Sequence, residues 1–217
     1  MSMLRAVIFD LDGVILDSEP LHFEADMRTM AEYGMEISEE VLVSYVGVTG
    51  PEMWKDHIER MGIPDTLEGV IARQKAHKLM LLAETKLTAT DGIPELLEAI
   101  RRLGLKTGLA SSSPRYFIEA VLSNLGIDPY FQAVVSGEEV PRGKPDPAVF
   151  LRASELLGVE PEYCLVIEDS MHGICAARAA HMRCVGFRNP TSGAQDLSAA
   201  DIAIGSFRDP ALLDLFA

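Results

Sequence analysis

Residues 4–14 read LRAVIFDLDGV: an apolar run of strand length, Leu4 to Phe9, hands over directly to Asp10-Leu11-Asp12-Gly13-Val14. Residues two apart in extended backbone point to the same side, and Gly13 lets the chain turn sharply beyond them. Both carboxylates therefore leave one strand end together and can face one pocket. In open α/β sheets the carboxyl ends of strands are where ligands sit. By itself Asp-x-Asp is weak, since a solvated loop or an adventitious cation site carries the same letters. The remainder of the chain has to decide.

Further runs of strand length follow at Lys106 to Ala110, Ala133 to Val135, Cys164 to Ile167, Cys184 to Phe187 and Ile202 to Ile204. Between them lie helical patterns. Pro94 to Leu103, Pro114 to Leu125 and Pro147 to Leu157 each open on a proline suited to a first turn and stop before Gly104, Gly126 and Gly158. This alternation predicts an α/β protein with a Rossmann-like parallel sheet covered by helices. From about Pro20 to Glu84 the rhythm changes to successive amphipathic helices separated by Gly34, Gly47, Gly50 and Gly62, with no strand. That stretch reads as an inserted all-α helical cap. The expected domains are residues 1–15 with 88–217 as the catalytic core and 16–87 as the cap, with the two crossings forming a hinge.

A chain of 217 residues, 48% hydrophobic, can bury a substantial core. Its formal charge of -14 repels polyanions and no basic stretch offsets it, so neither nucleic acid nor an anionic membrane is an expected partner. The first apolar run is too short for a signal-peptide core and no later one reaches membrane-spanning length, so a cytoplasmic protein, monomeric or weakly homodimeric, is expected. Cys164, Cys175 and Cys184 match no disulfide or zinc spacing and are expected to be buried, reduced thiols. Any anion the protein handles must be met by a local device.

Three more polar groups sit at strand ends or rigid turns. Ser111 follows Lys106 to Ala110, Lys144 lies in Gly143-Lys144-Pro145-Asp146-Pro147, and Glu168-Asp169 follows Cys164 to Ile167. With these, the chain resembles the haloacid dehalogenase superfamily over essentially its whole length. Its four motifs appear in order as DLDGV, the strand ending in Ser111, Lys144 in GKPDP, and Glu168-Asp169. The insert between the first and second motifs is similar to the helical cap of the beta-phosphoglucomutase and phosphoglycolate phosphatase subgroup.

The resemblance implies a role for each matching residue. Asp10 is the nucleophile that forms an aspartyl phosphate; Asp12 protonates the leaving oxygen and later activates the attacking water or hydroxyl. Magnesium is expected on the Asp10 and Asp169 carboxylates and the Asp12 carbonyl, with Glu168 joining directly or through water. Physically, acids gathered around a phosphate dianion repel by several kcal/mol per close pair at an effective dielectric of ~20, so positive charge is needed. Lys144 would supply fixed charge between nucleophile and phosphoryl oxygens, while Ser111 hydrogen-bonds those oxygens. The implied partner is a small phosphorylated metabolite.

Each residue also has a plainer reading. Ser113 before Pro114 is preferred as a helix N-cap, and Ser170 and Asp146 as caps of the helices that follow them. Asp17 could merely orient the first loop. His57, His77 and His181 read as surface or interface residues; His172 opens the helix after Asp169. Trp54, Met27, Met30, Met53 and Met80 fit packing within cap helices.

The choice between phosphatase and sugar phosphomutase rests on the cap and on the second motif. By similarity to beta-phosphoglucomutase, Ser18 and His22 lie near the hinge and Lys75 falls near a cap lysine that contacts sugar, which favours a mutase. Against it, the turn Gly47-Val48-Thr49-Gly50 carries glycine where the mutase has the arginine gripping the second phosphate, and Pro114-Arg115 replaces its Lys-Asn pair. Losing a bidentate anion clamp favours hydrolysis. The expected activity is therefore a magnesium-dependent phosphatase, with Ser18, His22, Gly47, Lys75, Ser112 and Arg115 as candidate substrate contacts. The mutase is the alternative, with Arg115 as a partial substitute for the lost clamp. A catalytically idle binding homologue is a third reading, opposed by the intact Asp10, Asp12, Lys144 and Asp169.

Overall fold

The computed structural model describes residues 4–45 and 50–216. In chain order the elements are β1 (Ala6–Phe9), α1 (Glu19–Glu32), α2 (Glu39–Val43), α3 (Gly50–Met61), α4 (Leu67–Glu84), α5 (Ile93–Arg102), β2 (Lys106–Ser111), α6 (Arg115–Leu125), β3 (Ala133–Ser136), α7 (Ala148–Leu157), β4 (Cys164–Glu168), α8 (Met171–Ala179), β5 (Arg183–Phe187), β6 (Ile202–Ile204) and α9 (Pro210–Leu213). They form two compact units, Met1–Asp17 with Leu87–Ala217, and Ser18–Lys86. Residues up to Leu16 stay with the sheet because Gly13 N–H donates to Leu16 O at 2.8 Å and Thr90 N–H to Ile15 O at 2.8 Å.

The first unit is a six-stranded parallel sheet in the order β3-β2-β1-β4-β5-β6. It is the α/β, Rossmann-like core that the sequence pattern predicts. Strand order reverses on either side of β1, which makes the carboxyl end of β1 the switch point where such sheets open a crevice. β1 is fully buried, as expected of a central parallel strand whose residues are all apolar. Register then positions the chemistry: Phe9 lies opposite Leu109 on β2 and Ile167 on β4. The next residue on each strand, Asp10, Ala110 and Glu168, therefore emerges at one level.

The second unit, the inserted all-α part, builds its own core from Met30, Leu42, Met53, Trp54, Ile63 and Val70. Trp54 and the methionines Met30 and Met53 pack there as expected, whereas Met80 is exposed. His57 corrects an expectation: it is buried at 3% exposure against the Tyr45 and Trp54 rings, and burial pulls its basicity down. Helical spacing brings it to the same face as Trp54, three residues earlier, and that face is the core face. Asp26 is buried as well and accepts a 2.5 Å hydrogen bond from Gln74 Nε2, which links α1 to α4.

Cys164 and Cys184 lie buried in the sheet, but Cys175 is exposed, against the expectation of three buried thiols. On α8 the glycine, isoleucine and alanines at 173, 174, 176 and 177 face inward, and Cys175 falls on the outer side. Apolar neighbours in sequence did not mean an apolar face. Among the described residues no helix is long and apolar enough to cross a membrane.

Candidate active site

Lys144 is carried by the turn between β3 and α7, where Asp146 N–H donates to Gly143 O at 3.0 Å and the Lys144-Pro145 peptide is cis. Its side chain is 6% exposed, and the ammonium donates to Asp10 Oδ1 at 2.6 Å, Glu168 Oε1 at 2.6 Å and Ala110 O at 3.1 Å. An ammonium has three protons, and here each has an acceptor. Burial alone would lower its basicity, but Asp10 and Glu168 outweigh that and hold it above the ordinary lysine value, so it stays charged. A turn lysine is more often solvated, but the Lys144 side chain is buried.

Around this cation stand three acids from two adjacent strand ends. Asp10, Glu168 and Asp169 each offer an oxygen within 4.8 Å of the others, and all three are buried. Burial pushes Asp10 well above the ordinary aspartate range; Lys144 pulls it back in part, and Glu168, Asp12 and Asp169 raise it further. Burial, then Glu168, raises Asp169 to about 7, against which a hydrogen bond from Ser192 works. One ammonium cannot neutralise three carboxylates, so with all three ionised the cluster carries a surplus of two negative charges. An all-oxygen, doubly under-neutralised cluster suits a hard divalent cation.

The acids are fixed by local devices. Glu168 Oε2 accepts from Ser170 N–H at 3.0 Å and from Ser170 Oγ at 2.8 Å, while Ser170 Oγ also accepts Gly173 N–H at 3.0 Å as the N-cap of α8. A Cβ on Gly173 would collide with the Glu168 carboxylate, so a glycine is needed for this first turn to approach the strand end. Gly13, at φ +77, is needed twice: for the left-handed turn after Asp12, and because a Cβ would overlap the Asp169 carboxylate.

Asp12 is met by two hydroxyls. Ser111 Oγ lies 3.2 Å and Ser113 Oγ 2.6 Å from Asp12 Oδ2, and Ser113 N–H donates to Ser111 Oγ at 2.9 Å. This corrects the reading of Ser113 as a helix cap. Pro114 occupies the cap position of α6, and the Ser113 side chain turns to the acid instead. The missed signal was the spacing: Ser111 and Ser113 repeat at the end of β2 the two-residue spacing of Asp10 and Asp12 beyond the end of β1. Asp146 also differs from the cap expected of it: Pro147 occupies the cap position of α7, and Asp146, one residue earlier, accepts from Ala148 N–H at 3.1 Å.

The other candidates fall in both units. Ser112 is exposed. Arg115 is committed elsewhere: Nε and Nη2 grip Glu139 at 2.6 and 2.7 Å, and Nη2 also donates to Val134 O at 2.7 Å. Ser18 (buried, at the start of α1), His22 (α1) and Lys75 (exposed, α4) belong to the helical unit, and Gly47 lies outside the described residues. Asp17 and His172 are exposed. Sequence reasoning missed Ser192, whose hydroxyl donates to Asp169 Oδ2, and Asn189, whose Nδ2 donates to Ser192 Oγ at 2.7 Å. Both lie in the loop after β5, far from Asp169 in sequence, and carry no motif. Their one signal is that β5 neighbours β4, so its following loop opens on the same edge.

Comparison with known proteins converges on one family. The family model described as haloacid dehalogenase-like hydrolase matches residues 7–187. A phosphorylated carbohydrates phosphatase of Thermotoga maritima is 37% identical over 82% of this chain and 82% of its own length. Hexitol phosphatase B of Escherichia coli K12 is 36% identical over 84% of this chain and 82% of its own. Among solved structures, CbbY from Rhodobacter sphaeroides in complex with phosphate superposes with a TM-score of 0.89 at 25% identity, covering 98% of this chain and 100% of that one.

Proposed function

Because this chain belongs to the haloacid dehalogenase-like hydrolases, we propose that it is a magnesium-dependent phosphatase of small phosphorylated carbohydrates or polyols, with Asp10 as covalent nucleophile. The observation that carries this reading is the Lys144 ammonium bonded at 2.6 Å to both Asp10 and Glu168, with Asp169 in the same cluster. That arrangement places a buried carboxylate beside fixed positive charge and a dication-shaped deficit, which is what attack on a phosphate dianion requires. The substrate class follows the relatives named for phosphorylated carbohydrates and hexitols.

Asp10 attacks phosphorus: an Asp10 oxygen–phosphorus bond forms, the bond from phosphorus to the substrate oxygen breaks, and Asp12 gives that oxygen its proton. Water then attacks the aspartyl phosphate, Asp12 takes the water's proton, and phosphate leaves with Asp10 regenerated. Ser111 and Ser113 hold Asp12 Oδ2, which orients the carboxyl that exchanges the proton. Lys144 keeps Asp10 oriented and offsets charge on the transferring group. Asp10, Asp169, Glu168 and the Asp12 carbonyl are the groups that would hold magnesium, whose charge would relieve the repulsion between nucleophile and phosphate dianion.

Hydrolysis is favoured over a mutase cycle by Arg115. A residue already gripped by Glu139 and the Val134 carbonyl is poorly placed to stand in for a second-phosphate clamp. The test is phosphate release from a panel of hexose, pentose and hexitol monophosphates with magnesium, using Asp10→Asn as control. We expect turnover that chelator abolishes and that Asp10→Asn lowers by ~1000-fold or more. Isomerisation of a sugar phosphate without phosphate release, or equal rates in Asp10→Asn, would overturn the reading.

A further inference from the structure

Of the three clustered acids, Asp169 is treated differently from its neighbours. Lys144 bonds directly to Asp10 and Glu168, whereas the described residue that donates to Asp169 is a neutral hydroxyl, Ser192. An ammonium or guanidinium there would neutralise the carboxylate and compete with a cation. A hydroxyl fixes the carboxylate and leaves its charge available. The same oxygen, Oδ2, lies against Gly13, where any Cβ would overlap both it and the Ser192 hydroxyl. Wedged between Gly13 and Ser192, the carboxylate cannot rotate freely, and its other oxygen is the one left for a ligand.

The hydroxyl is itself aimed by a closed circuit. Asn189 Nδ2 donates to Ser192 Oγ at 2.7 Å, which directs the Ser192 proton toward Asp169. The Asn189 carbonyl oxygen is in turn held by Thr191 N–H at 3.2 Å and Thr191 Oγ at 2.9 Å. Gln195 then ties the loop back, donating from Nε2 to Ser192 O at 3.0 Å and accepting Met171 N–H at 3.1 Å. Met171 begins α8, two residues after Asp169, so the ring runs from Asp169 through α8, Gln195 and Ser192 back to Asp169. No member of the ring but Asp169 carries charge.

We propose that Ser192, oriented by Asn189, is a positioning residue that holds the Asp169 carboxylate in the posture for binding the divalent cation. This rests on the reading of Asp169 as a metal ligand. Magnesium binding to the full-length protein is measured by isothermal titration calorimetry for the parent, Ser192→Ala, Ser192→Thr, Asn189→Ala and Asp169→Asn. The magnesium concentration for half-maximal phosphatase activity is read alongside.

Ser192→Ala is expected to weaken magnesium binding ~10-fold, at the lower end of what such supporting groups contribute. It should raise the half-maximal magnesium concentration equally, while kcat at saturating magnesium stays within about twofold. Ser192→Thr should restore binding, and Asn189→Ala should show a smaller loss in the same direction, which serves if Ser192→Ala fails to fold. Parent-like affinity in both Ser192→Ala and Asn189→Ala, or a Ser192→Ala loss that Ser192→Thr does not restore, overturns the proposal. If Asp169→Asn binds magnesium like the parent, the ligand assignment itself has failed. If only Asp169→Asn loses binding, that assignment stands and the role of Ser192 alone is wrong.

Discussion

Side chains two residues apart just past a strand end can reach the same space, and the site uses this twice, with Asp10 and Asp12 beyond the end of β1 and Ser111 and Ser113 at and beyond the end of β2. The Ser113 hydroxyl at 2.6 Å from Asp12 Oδ2 is the shorter of the two contacts to the acid. Ser113→Ala should therefore loosen Asp12 without touching Asp10. We expect kcat to fall ~10-fold, as for one lost hydrogen bond to a carboxyl group of ~1.4 kcal/mol, with KM nearly unchanged. Steady-state kinetics with a saturating monophosphate checks this, and a pure KM effect would assign Ser113 to substrate binding instead. Lys144 illustrates the opposite economy: a residue type most often solvated is buried because three acceptors await it.

At the level of elements, the cluster depends on how closely α8 approaches the end of β4. Ser170 caps α8 and at the same time holds Glu168, and the glycine at 173 permits the contact. Gly173→Ala puts a methyl group where the Glu168 carboxylate lies, so that carboxylate must leave Lys144 or the helix must shift. Breaking a buried pair costs about 3–5 kcal/mol, and thermal denaturation should register a drop of ~6 °C or more for a chain of this size. An unchanged melting temperature would mean that the helix start accommodates a side chain. The strands and prolines that frame these elements were legible beforehand. Ile202 to Ile204 matches its strand end to end, and the Pro94, Pro114 and Pro147 helices begin within one residue of the prolines. Strand ends were underestimated where polar Ser111, Ser136 and Glu168 continue the ladder, because backbone pairing extends as far as a neighbour offers partners, whatever the side chain.

For the molecule as a whole, 33 acidic against 19 basic side chains set the response to pH and to cations. Asp169 is raised to about 7, above the ~3.9 of an unfolded aspartate. The stability this contributes is complete below the unfolded value and is lost as pH rises through 7, since the folded site then has to hold an unmatched charge. Asp10 is shifted in the same direction. A bound divalent cation removes that penalty by matching the carboxylates. Magnesium should therefore raise the melting temperature by several degrees more at pH 8 than at pH 6, and Asp169→Asn should flatten the difference. Differential scanning fluorimetry in chelator and in magnesium decides it, and an equal gain at both pH values would contradict the charge account.

The order of strands and helices and the inserted helical stretch were legible in local pattern, namely apolar period, prolines and glycines. Asp10, Asp12, Lys144, Glu168 and Asp169 stood out as candidates because four short motifs in order resemble a known family. Such features depend on neighbours in the chain, so they can be read along it. Which oxygen meets which donor was decided only when parallel register brought β1, β2 and β4 to one level. Ser113 turning to Asp12, Arg115 spent on Glu139, Cys175 facing outward, His57 facing inward and Ser192 reaching Asp169 all depend on groups distant in sequence. No period or motif encodes those distances, because they are set by packing.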